Sequence, residues 1–207
     1  KVELSGTLMA INGVDSPDLT SNLLVKWTMD SIAGTTLNDG SGNANNGTID
    51  GATAVSGKVN NALSFDGVND KVTSSLQIGG YTELTIRFWL KITSFPSSGS
   101  VLLVGAFDSF DSAVGLVLTK LKTVISYFEA SADNTIDCFS PKLETGVWYR
   151  FCAVYDTNEA WLYMNGNIVE HRTGATFSVL PTLTEKLSLA KSGATSEWFN
   201  GLIDELE

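Results

Sequence analysis

The stretch Asp39-Gly-Ser-Gly-Asn-Ala-Asn-Asn-Gly-Thr-Ile-Asp50 is followed by a second one, Asn61-Ala-Leu-Ser-Phe-Asp-Gly-Val-Asn-Asp-Lys-Val72. Together they comprise a loop dense in Asn, Asp and Gly, a short apolar strand and an acidic turn. Gly and Asn adopt backbone conformations that other residues resist, so such a loop can fold tightly on itself. A tight loop directs carbonyl and side-chain oxygens inward, and oxygen ligands are what calcium requires. Composition alone is equally compatible with a solvated turn.

Alternation of apolar and polar residues predicts strands on both sides of this stretch. The clearest case is Leu84 to Ile92, where every second residue is apolar and the intervening face carries Thr85, Arg87, Trp89 and Lys91. Leu23 to Asp30 shows the same period. Around a dozen short strands separated by Gly, Asn and Asp turns predict an all-β sandwich or jelly roll. The sole helix candidate is a short turn within Phe177 to Leu183.

Seven segments, taken in their order along the chain, resemble a laminin G-like (LamG-like) jelly roll of the concanavalin A-like lectin/glucanase superfamily. They are Leu24–Asp30, Asp39–Gly47, Ala62–Asp70, Leu84–Leu90, Trp148–Asp156, Leu162–Gly166 and Phe199–Glu205.

The resemblance implies a two-sheet antiparallel sandwich and sets the domain boundaries. It covers roughly Leu23 to Glu205, so residues 23–207 are predicted as one LamG-like domain. Residues 1–22 are predicted as an N-terminal extension, either an edge strand or a linker from a preceding domain. We expect the core to contain five large side chains. They are Trp27, Phe65, Phe88, Phe151 and Leu162.

Charge and composition limit the classes of partner. The 207 residues carry a formal net charge of −10 and only 17% charged residues. A negative net charge disfavours nucleic acid, whose phosphates require a basic surface, and it equally disfavours anionic membrane surfaces. No apolar run approaches the ~20 residues of a membrane-spanning helix. The chain opens without a signal peptide or an initiator Met, so we expect it to be part of a larger multidomain protein.

The two cysteines, Cys138 and Cys152, do not fix the compartment. Both have apolar neighbours in the sequence. They could pair as a disulfide in an extracellular protein, or both could stay buried as free thiols that act as small hydrophobes. Their spacing fits no metal motif.

Catalytic residues are predicted to be absent. Retaining glycosidases of the concanavalin A-like type carry a strand with three alternating carboxylates, the outer two spaced for nucleophile and acid. The nearest stretch, Leu202–Glu207, has Leu202 where the first carboxylate would stand. The single histidine, His171, lies beside Arg172 without a spaced nucleophile, which is typical of a structural or exposed residue.

A structural calcium ion is predicted from the resemblance. In LamG-like jelly rolls the first and last strands lie side by side, which would bring Asp30 near Asp204. The Asn- and Gly-rich loop, with Asp39 and Asn46, would fold over both. Two or three carboxylates with amide and backbone oxygens suit the 6–8 ligands of calcium.

A ligand-binding face is predicted from aromatic residues on the polar side of two strands. Arg87 and Trp89 lie opposite the apolar positions of one strand, and Trp161 and Tyr163 do so on another. Aromatic rings stack on sugar C–H faces, and polar neighbours bind hydroxyl groups. Ordinary cross-strand packing is the alternative explanation.

These observations predict a non-catalytic extracellular recognition module, secreted or at the cell surface. We expect its partner to be a glycan or a cell-surface protein, with adhesion as a related role. A polysaccharide-degrading enzyme of the same fold, a glycoside hydrolase or lyase, is the alternative. Nucleic acid and membrane insertion are not expected.

Overall fold

The computed structural model describes residues 22–109, 112–131, 134–156, 158–174, 179–191 and 197–207. These residues form seventeen strands, more than the dozen predicted, because the structure includes several strands of only two residues. The strands are arranged in two antiparallel sheets, as predicted. Within these ranges no helix is long and apolar enough to cross a membrane. The two-sheet antiparallel sandwich is therefore confirmed.

The seven-stranded sheet has the order β15-β14-β13-β7-β17-β5-β4. Its strands are β4 (Thr53–Ser56), β5 (Asn61–Asp66), β7 (Glu83–Ser94), β13 (Trp148–Asp156), β14 (Glu159–Met164), β15 (Asn167–Thr173) and β17 (Asn200–Asp204). The last strand of the chain thus lies inside the sheet, between β5 and β7. This position places the carboxylates of its C-terminal end next to the early part of the chain.

The second sheet has ten strands in the order β1-β2-β3-β6-β16-β8-β9-β10-β11, with β12 also paired to β10. Its strands are β1 (Ile32–Ala33), β2 (Thr36–Leu37), β3 (Gly47–Asp50), β6 (Lys71–Ser74), β8 (Ser100–Ser109), β9 (Ser112–Thr119), β10 (Val124–Ser131), β11 (Asn134–Thr135), β12 (Cys138–Phe139) and β16 (Ser188–Leu189).

Burial follows the predicted alternation. In β7 the side chains of Ile86, Phe88, Leu90 and Ile92 are buried, whereas those between them are half-buried on the outer face. The five core residues predicted from the sequence are all buried. Trp27 satisfies its indole N–H by donating to the carbonyl of Asn45 at 3.0 Å. Fully burying one such large side chain contributes ~1.5–3 kcal/mol.

The first predicted strand is not a continuous strand. Val25, Trp27 and Met29 are buried and Lys26 and Thr28 are not, so the alternation is confirmed. Its ladder, however, is a single bridge between Trp27 and Leu206. The reason is that Lys26 forms its backbone hydrogen bonds with the loop at residues 39–46 instead. Its N–H donates to Asp39, and its carbonyl accepts the N–H of Gly40.

Two other predictions fall partly outside the described ranges. Of the N-terminal extension, only Asn22 is described. In the helix candidate, residues 177 and 178 lie outside the described ranges, and residues 179–183 form no helix.

Both cysteines are free thiols. Cys138 is fully buried, and its thiol lies 3.4 Å from the carbonyl of Ala160. Cys152 pairs with Arg87 in the ladder and therefore lies on the outer face of the seven-stranded sheet. Burial raises the pKa of each thiol to about 11, so both are protonated at neutral pH.

Candidate functional site

Asp30 and Asp204 hold the same turn, residues 58–61. The Oδ2 of Asp204 accepts the N–H groups of Lys58 and Val59, both at 2.9 Å. Asp30 accepts the N–H of Asn61 at 2.9 Å and the side-chain amide of Asn60 at 3.0 Å. The predicted proximity of the two carboxylates is therefore present. The turn packs so closely on Asp204 that a Cβ on Gly57 would lie 2.7 Å from Oδ2.

The electrostatics at this pair favour a cation. Asp204 is completely buried, and its Oδ1 has no hydrogen-bond partner among the described residues. Burial raises the pKa of Asp204, the backbone N–H groups of Val59, Lys58 and Glu205 oppose that rise, and the charge of Asp30 adds to it. Burial, followed by the charges of Asp204 and Asp30, also raises the pKa of Glu205. A bound cation would lower the pKa of Asp204 and of Glu205, and it would offset the repulsion between these carboxylates and Asp30.

Strained backbone conformations adjoin the same pair. Seven non-glycine residues in the described ranges have positive φ. Three of them, Met29 (64°), Asn60 (47°) and Glu205 (51°), are next to Asp30 or Asp204, or in the turn between them. Left-handed conformations at non-glycine residues are unfavourable and tend to cluster at functional sites.

Asp39 and Asn46, the other two predicted calcium ligands, belong to a separate hydrogen-bond network. Asp39 Oδ1 accepts the N–H groups of Lys26 and Ser41, both at 2.8 Å. Its Oδ2 accepts the Ser41 hydroxyl at 2.7 Å and the Asn45 N–H at 2.9 Å. Asn46 Oδ1 accepts the N–H of Asp39. This carboxylate therefore organises the loop through four hydrogen bonds of its own.

The residues present partly fit a calcium ion. The described chain contains no cluster of three or more His, Cys, Asp or Glu side chains that could hold a metal. It does provide a buried carboxylate oxygen without a partner, on Asp204, and a second carboxylate, on Asp30. Calcium also accepts carbonyl and water oxygens as ligands, so two carboxylates can supply the charged part of its coordination shell.

The four predicted ligand-binding residues share the outer face of the seven-stranded sheet, as expected. Cross-strand pairing places Cys152 between Arg87 and Tyr163, and Val154 beside Trp161. Each of the four is half-buried. The face therefore exists as a surface of aromatic and cationic side chains.

Three of these four side chains already have protein partners. The Trp161 ring stacks on His171 with centroids 4.8 Å apart and planes 4° from parallel, and His171 lies 3.0 Å from Glu159. Trp89 has the Lys58 ammonium 5.1 Å and the Arg150 guanidinium 5.9 Å from its ring centroid. Arg87 forms an ion pair with Glu207. Cross-strand packing thus accounts for much of this arrangement.

A second aromatic site was not predicted from the sequence. It is a cleft of about 300 Å³ where β5, β7 and β17 meet the loops at one end of the sandwich. We call it the Trp198 cleft. It is lined by Gly67, Ser94, Phe95, Pro96, Ser97, Glu197, Trp198 and Asn200.

The walls of the Trp198 cleft are held by specific contacts. Glu197 accepts the N–H groups of Ser97 and Ser98 at 2.8 and 3.0 Å, and also both hydroxyls. Asn200 donates its amide to the carbonyl of Asp66 at 3.1 Å. Trp198 is half-buried, and the following residue, Phe199, is buried. The sequence signal that could have identified Trp198 is this pair of adjacent aromatic residues directly before β17, because the core needs only one of the two.

A family model of the concanavalin A-like lectin/glucanases superfamily, for laminin G-like domains, matches residues 65–207. The chain belongs to this superfamily. The match begins with Phe65 in β5 and includes both walls of the Trp198 cleft, Asp204 and the four residues of the predicted face. Curated proteins give no significant match to this superfamily member.

Solved structures share the fold at low sequence identity. Domain 4 of AbnA, a GH43 extracellular arabinanase from Geobacillus stearothermophilus, was determined in complex with arabinotriose. It is similar with a TM-score of 0.67 and 18% identity, over 88% of this chain and 89% of that one. The binding domain of Paraclostridial Mosquitocidal Protein 1 gives a TM-score of 0.71 and 15% identity, over 90% of this chain and 48% of the other.

A sialidase from Trypanosoma rangeli, in complex with 2,3-difluorosialic acid, gives a TM-score of 0.66 and 14% identity. The match covers 90% of this chain and 30% of the sialidase. The superfamily member described here therefore spans nearly all of the arabinanase domain, about half of the mosquitocidal binding domain and less than a third of the sialidase. At these identities the similarity establishes the fold.

Proposed function

We propose that this domain is a non-catalytic carbohydrate-binding module and that the Trp198 cleft is its sugar-binding site. The observation that carries the proposal is the composition of the cleft. It places two aromatic side chains, Trp198 and Phe95, around a concave space with the Asn200 amide and the Ser97 hydroxyl. Binding sites for small ligands combine apolar walls with a few fixed polar groups in this way. The arabinotriose complex of the similar arabinanase domain supports a glycan as ligand.

The cleft has the stiffness that weak sugar binding needs. Glu197 fixes the Ser97–Ser98 turn through four contacts, and Asn200 is fixed by Asp66. A preformed site avoids part of the entropy loss of binding. We expect single-site affinities on the order of micromolar to millimolar, or ~4–8 kcal/mol. Several copies in a larger protein would raise the avidity.

The outer face of the seven-stranded sheet is the second candidate surface. Its supporting observation is that Trp89, Trp161 and Tyr163 remain half-exposed, although neighbouring side chains contact the rings of Trp89 and Trp161. A flat face of this kind suits an extended glycan or a protein at a cell surface. Contacts with lysines do not separate the two surfaces, because the Lys71 ammonium lies 5.7 Å from the Trp198 ring centroid and the Lys122 ammonium lies 5.5 Å from that of Phe95. We place the outer face second because the Trp198 cleft adds a concave space of about 300 Å³ to its aromatic side chains.

A structural calcium ion at Asp30 and Asp204, an extracellular location and a larger multidomain parent complete the proposal. Calcium would neutralise the Asp30–Asp204 pair and fix the turn at residues 58–61. The superfamily's extracellular relatives, such as the arabinanase domain, support the location. The titration measurement below does not depend on any of these three points.

The test is isothermal titration calorimetry on the hits of a glycan array, with arabinotriose included as a defined probe. We expect Trp198→Ala to abolish measurable binding, and Trp89→Ala and Trp161→Ala to bind like the wild type. Trp148→Ala is the matched control, because both tryptophans are half-buried and each has a lysine ammonium near its ring centroid, Lys71 at 5.7 Å for Trp198 and Lys91 at 6.0 Å for Trp148.

Other results of the titration and of the array would move the site or change the class of ligand. If Trp89→Ala or Trp161→Ala loses binding and Trp198→Ala does not, the site lies on the outer face of the sheet. If no glycan on the array binds, a protein partner replaces the glycan. New reducing ends after incubation with polysaccharides would establish the alternative, an enzyme of the same fold.

A further inference from the structure

Cationic side chains surround an aromatic ring on the outer face of the seven-stranded sheet. Along β7 the consecutive outward residues are Arg87, Trp89 and Lys91. In the ladder, Arg150 of β13 lies opposite Trp89, and its guanidinium is 5.9 Å from the centroid of that ring. The Lys58 ammonium lies 5.1 Å from the same centroid. We call the group of Lys58, Arg87, Trp89, Lys91 and Arg150 the cationic face.

The carboxylates near the cationic face pair with only one of its four cations. Glu207 forms an ion pair with Arg87. Asp204 is also near, but it is completely buried, and the half-buried Glu205 acts on Arg87 as well. Within the part of the chain that the structure describes, three cations form no ion pair. They are Lys58, Lys91 and Arg150.

The two guanidinium groups of the cationic face repel each other. Burial, followed by the charge of Arg150, lowers the pKa of Arg87, whereas the charge of Glu205 opposes that change. Both guanidinium groups also act on the thiol of Cys152, which lies opposite Arg87, although burial outweighs them and raises the pKa of that thiol. An anion bound beside the two arginines would relieve their repulsion.

The net charge of −10 does not cancel this local excess of positive charge. At physiological ionic strength the Debye length is about 8 Å, so exposed charges farther away are largely screened. The cations are nevertheless sparse: Arg87 and Lys91 are ~13 Å apart along the strand at ~3.3 Å per residue, whereas duplex DNA carries one charge per ~1.7 Å. A polymer with at most one charge per sugar suits this spacing better than a nucleic acid does.

Aromatic rings extend the cationic face towards β14. Tyr163 lies opposite Cys152, and Trp161 lies on the same side of β14; both are half-buried. Rings beside cations match a sugar that carries a carboxylate, because the C–H groups stack on the ring while the carboxylate pairs with a cation. The planar guanidinium fits a carboxylate through two parallel hydrogen bonds. The ion pair between Arg87 and Glu207 shows that this face accommodates a carboxylate.

We propose that the cationic face binds the uronic acid residues of an acidic polysaccharide, with Arg150 and Lys91 pairing with sugar carboxylates and Trp89 stacking on a sugar ring. The proposal rests on the proposed glycan-binding function and assigns a ligand class to its second surface. It does not depend on the Trp198 cleft, whose lining residues are all different. The expectations stated above for Trp89→Ala concern uncharged glycans such as arabinotriose, which report on the cleft.

Calorimetric titration with an oligogalacturonate and with its methyl ester tests the proposal, because the two probes share their sugar rings and differ in charge. We expect the acid to bind the wild type on the order of tenfold more tightly than the ester, the size expected from two exposed ion pairs. The double variant Arg150→Gln/Lys91→Gln should remove this difference. Higher salt should weaken binding of the acid and leave the ester unchanged.

The matched control is Lys120→Gln/Lys142→Gln. It removes the same charge from two exposed lysines outside the seven-stranded sheet, and it should leave the preference for the acid intact. Thermal melts of both double variants report whether the fold is retained. The salt dependence of the wild type provides a test that requires no variant.

Several results would overturn the proposal. Equal affinities for acid and ester, or no binding of either, would show that the face does not recognise the carboxylate. Loss of acid binding in Trp198→Ala, but not in Arg150→Gln/Lys91→Gln, would place the acid in the cleft. Tighter binding of a sulfated oligosaccharide of the same length and charge, or of a polyglutamate peptide, would change the class of ligand. If arabinotriose fails to bind while the acid binds as expected, the cleft proposal alone is wrong.

Discussion

Two of the aspartates predicted as calcium ligands have opposite environments. Asp39 is half-buried and accepts four hydrogen bonds, two on each oxygen. Asp204 is completely buried and accepts two on Oδ2, while Oδ1 has no partner among the described residues. Burial acts to raise the pKa of Asp39, but hydrogen bonds from Ser41, Lys26 and Asn45 outweigh it and leave that pKa lowered. For Asp204 burial prevails, and its pKa is raised.

The difference separates a carboxylate that organises a loop from one that leaves an oxygen available to a cation. Four donors already occupy the two oxygens of Asp39, so this carboxylate is satisfied without a further ligand. At Asp204 an unpaired, buried, ionised oxygen is unfavourable unless a positive charge compensates it. A second carboxylate, Asp30, on the same turn increases this requirement. The family resemblance predicts both residues as ligands of one calcium ion.

The largest expected effect is that of calcium. Binding to the native state alone should stabilise the protein by about 4 kcal/mol at a thousandfold excess over Kd. Thermal melts with calcium and with EDTA should therefore separate by several degrees. Asp30→Asn should remove most of this separation, because it deletes one of the two charges at the pair.

The control for calcium is Asp39→Asn. If Asp39 only organises the loop, this variant melts lower than the wild type but keeps the full calcium shift. Loss of the shift in Asp39→Asn would restore the four-residue site with Asn46 that the sequence predicts. Identical melting curves of metal-stripped protein with and without calcium would contradict the calcium prediction.

Asp39→Ala should have the next largest effect, about 2–3 kcal/mol of unfolding free energy at neutral pH. It leaves the N–H groups of Lys26, Ser41 and Asn45 without their acceptor. Because the pKa of Asp39 is lowered on folding, its charge stabilises the fold above the unfolded pKa, about 3.9. The difference between wild type and variant should shrink as the pH falls below that value. Urea titrations at several pH values measure it, and a constant difference would contradict the account.

The smallest effect is expected at Asp137, which shares one property with Asp204. Its Oδ1 is also buried without a partner among the described residues. Burial raises the pKa of Asp137 to about 6, although a hydrogen bond from Thr135 and the charge of Arg172 oppose the rise. Ionisation therefore destabilises the fold as the pH rises from about 4 to about 6.

Asp137→Asn should consequently stabilise the protein by about 1 kcal/mol above pH ~6, after allowance for solvent screening, and leave it nearly unchanged below pH ~4. Calcium should not alter this difference, because Arg172 rather than a second carboxylate faces Asp137. Melting temperatures at pH 4 and pH 7.5 measure the effect. An equal gain at both values would point to packing rather than to charge.

Alternation alone determined the fold class and much of the core. The period of two in β7 and β13 assigned Phe88 and Phe151 to the interior, because successive strand side chains point to opposite faces. The same rule placed Trp89 and Trp161 outside. These assignments are properties of single strands, which a sequence contains directly. The superfamily and the proximity of Asp30 to Asp204 came instead from the resemblance of the ordered motifs to a known family.

The tertiary structure decided which polar groups share partners. Only the folded chain shows that Asp39 is saturated by donors from Lys26, Ser41 and Asn45, that Trp161 stacks on His171, and that Trp198 lines a cleft with Phe95. The N–H groups of Lys58 and Val59, about 145 positions earlier in the chain, both donate to Oδ2 of Asp204, so neither is left for Oδ1. Such pairings depend on how distant loops pack against one another, and no local pattern in the sequence encodes that geometry.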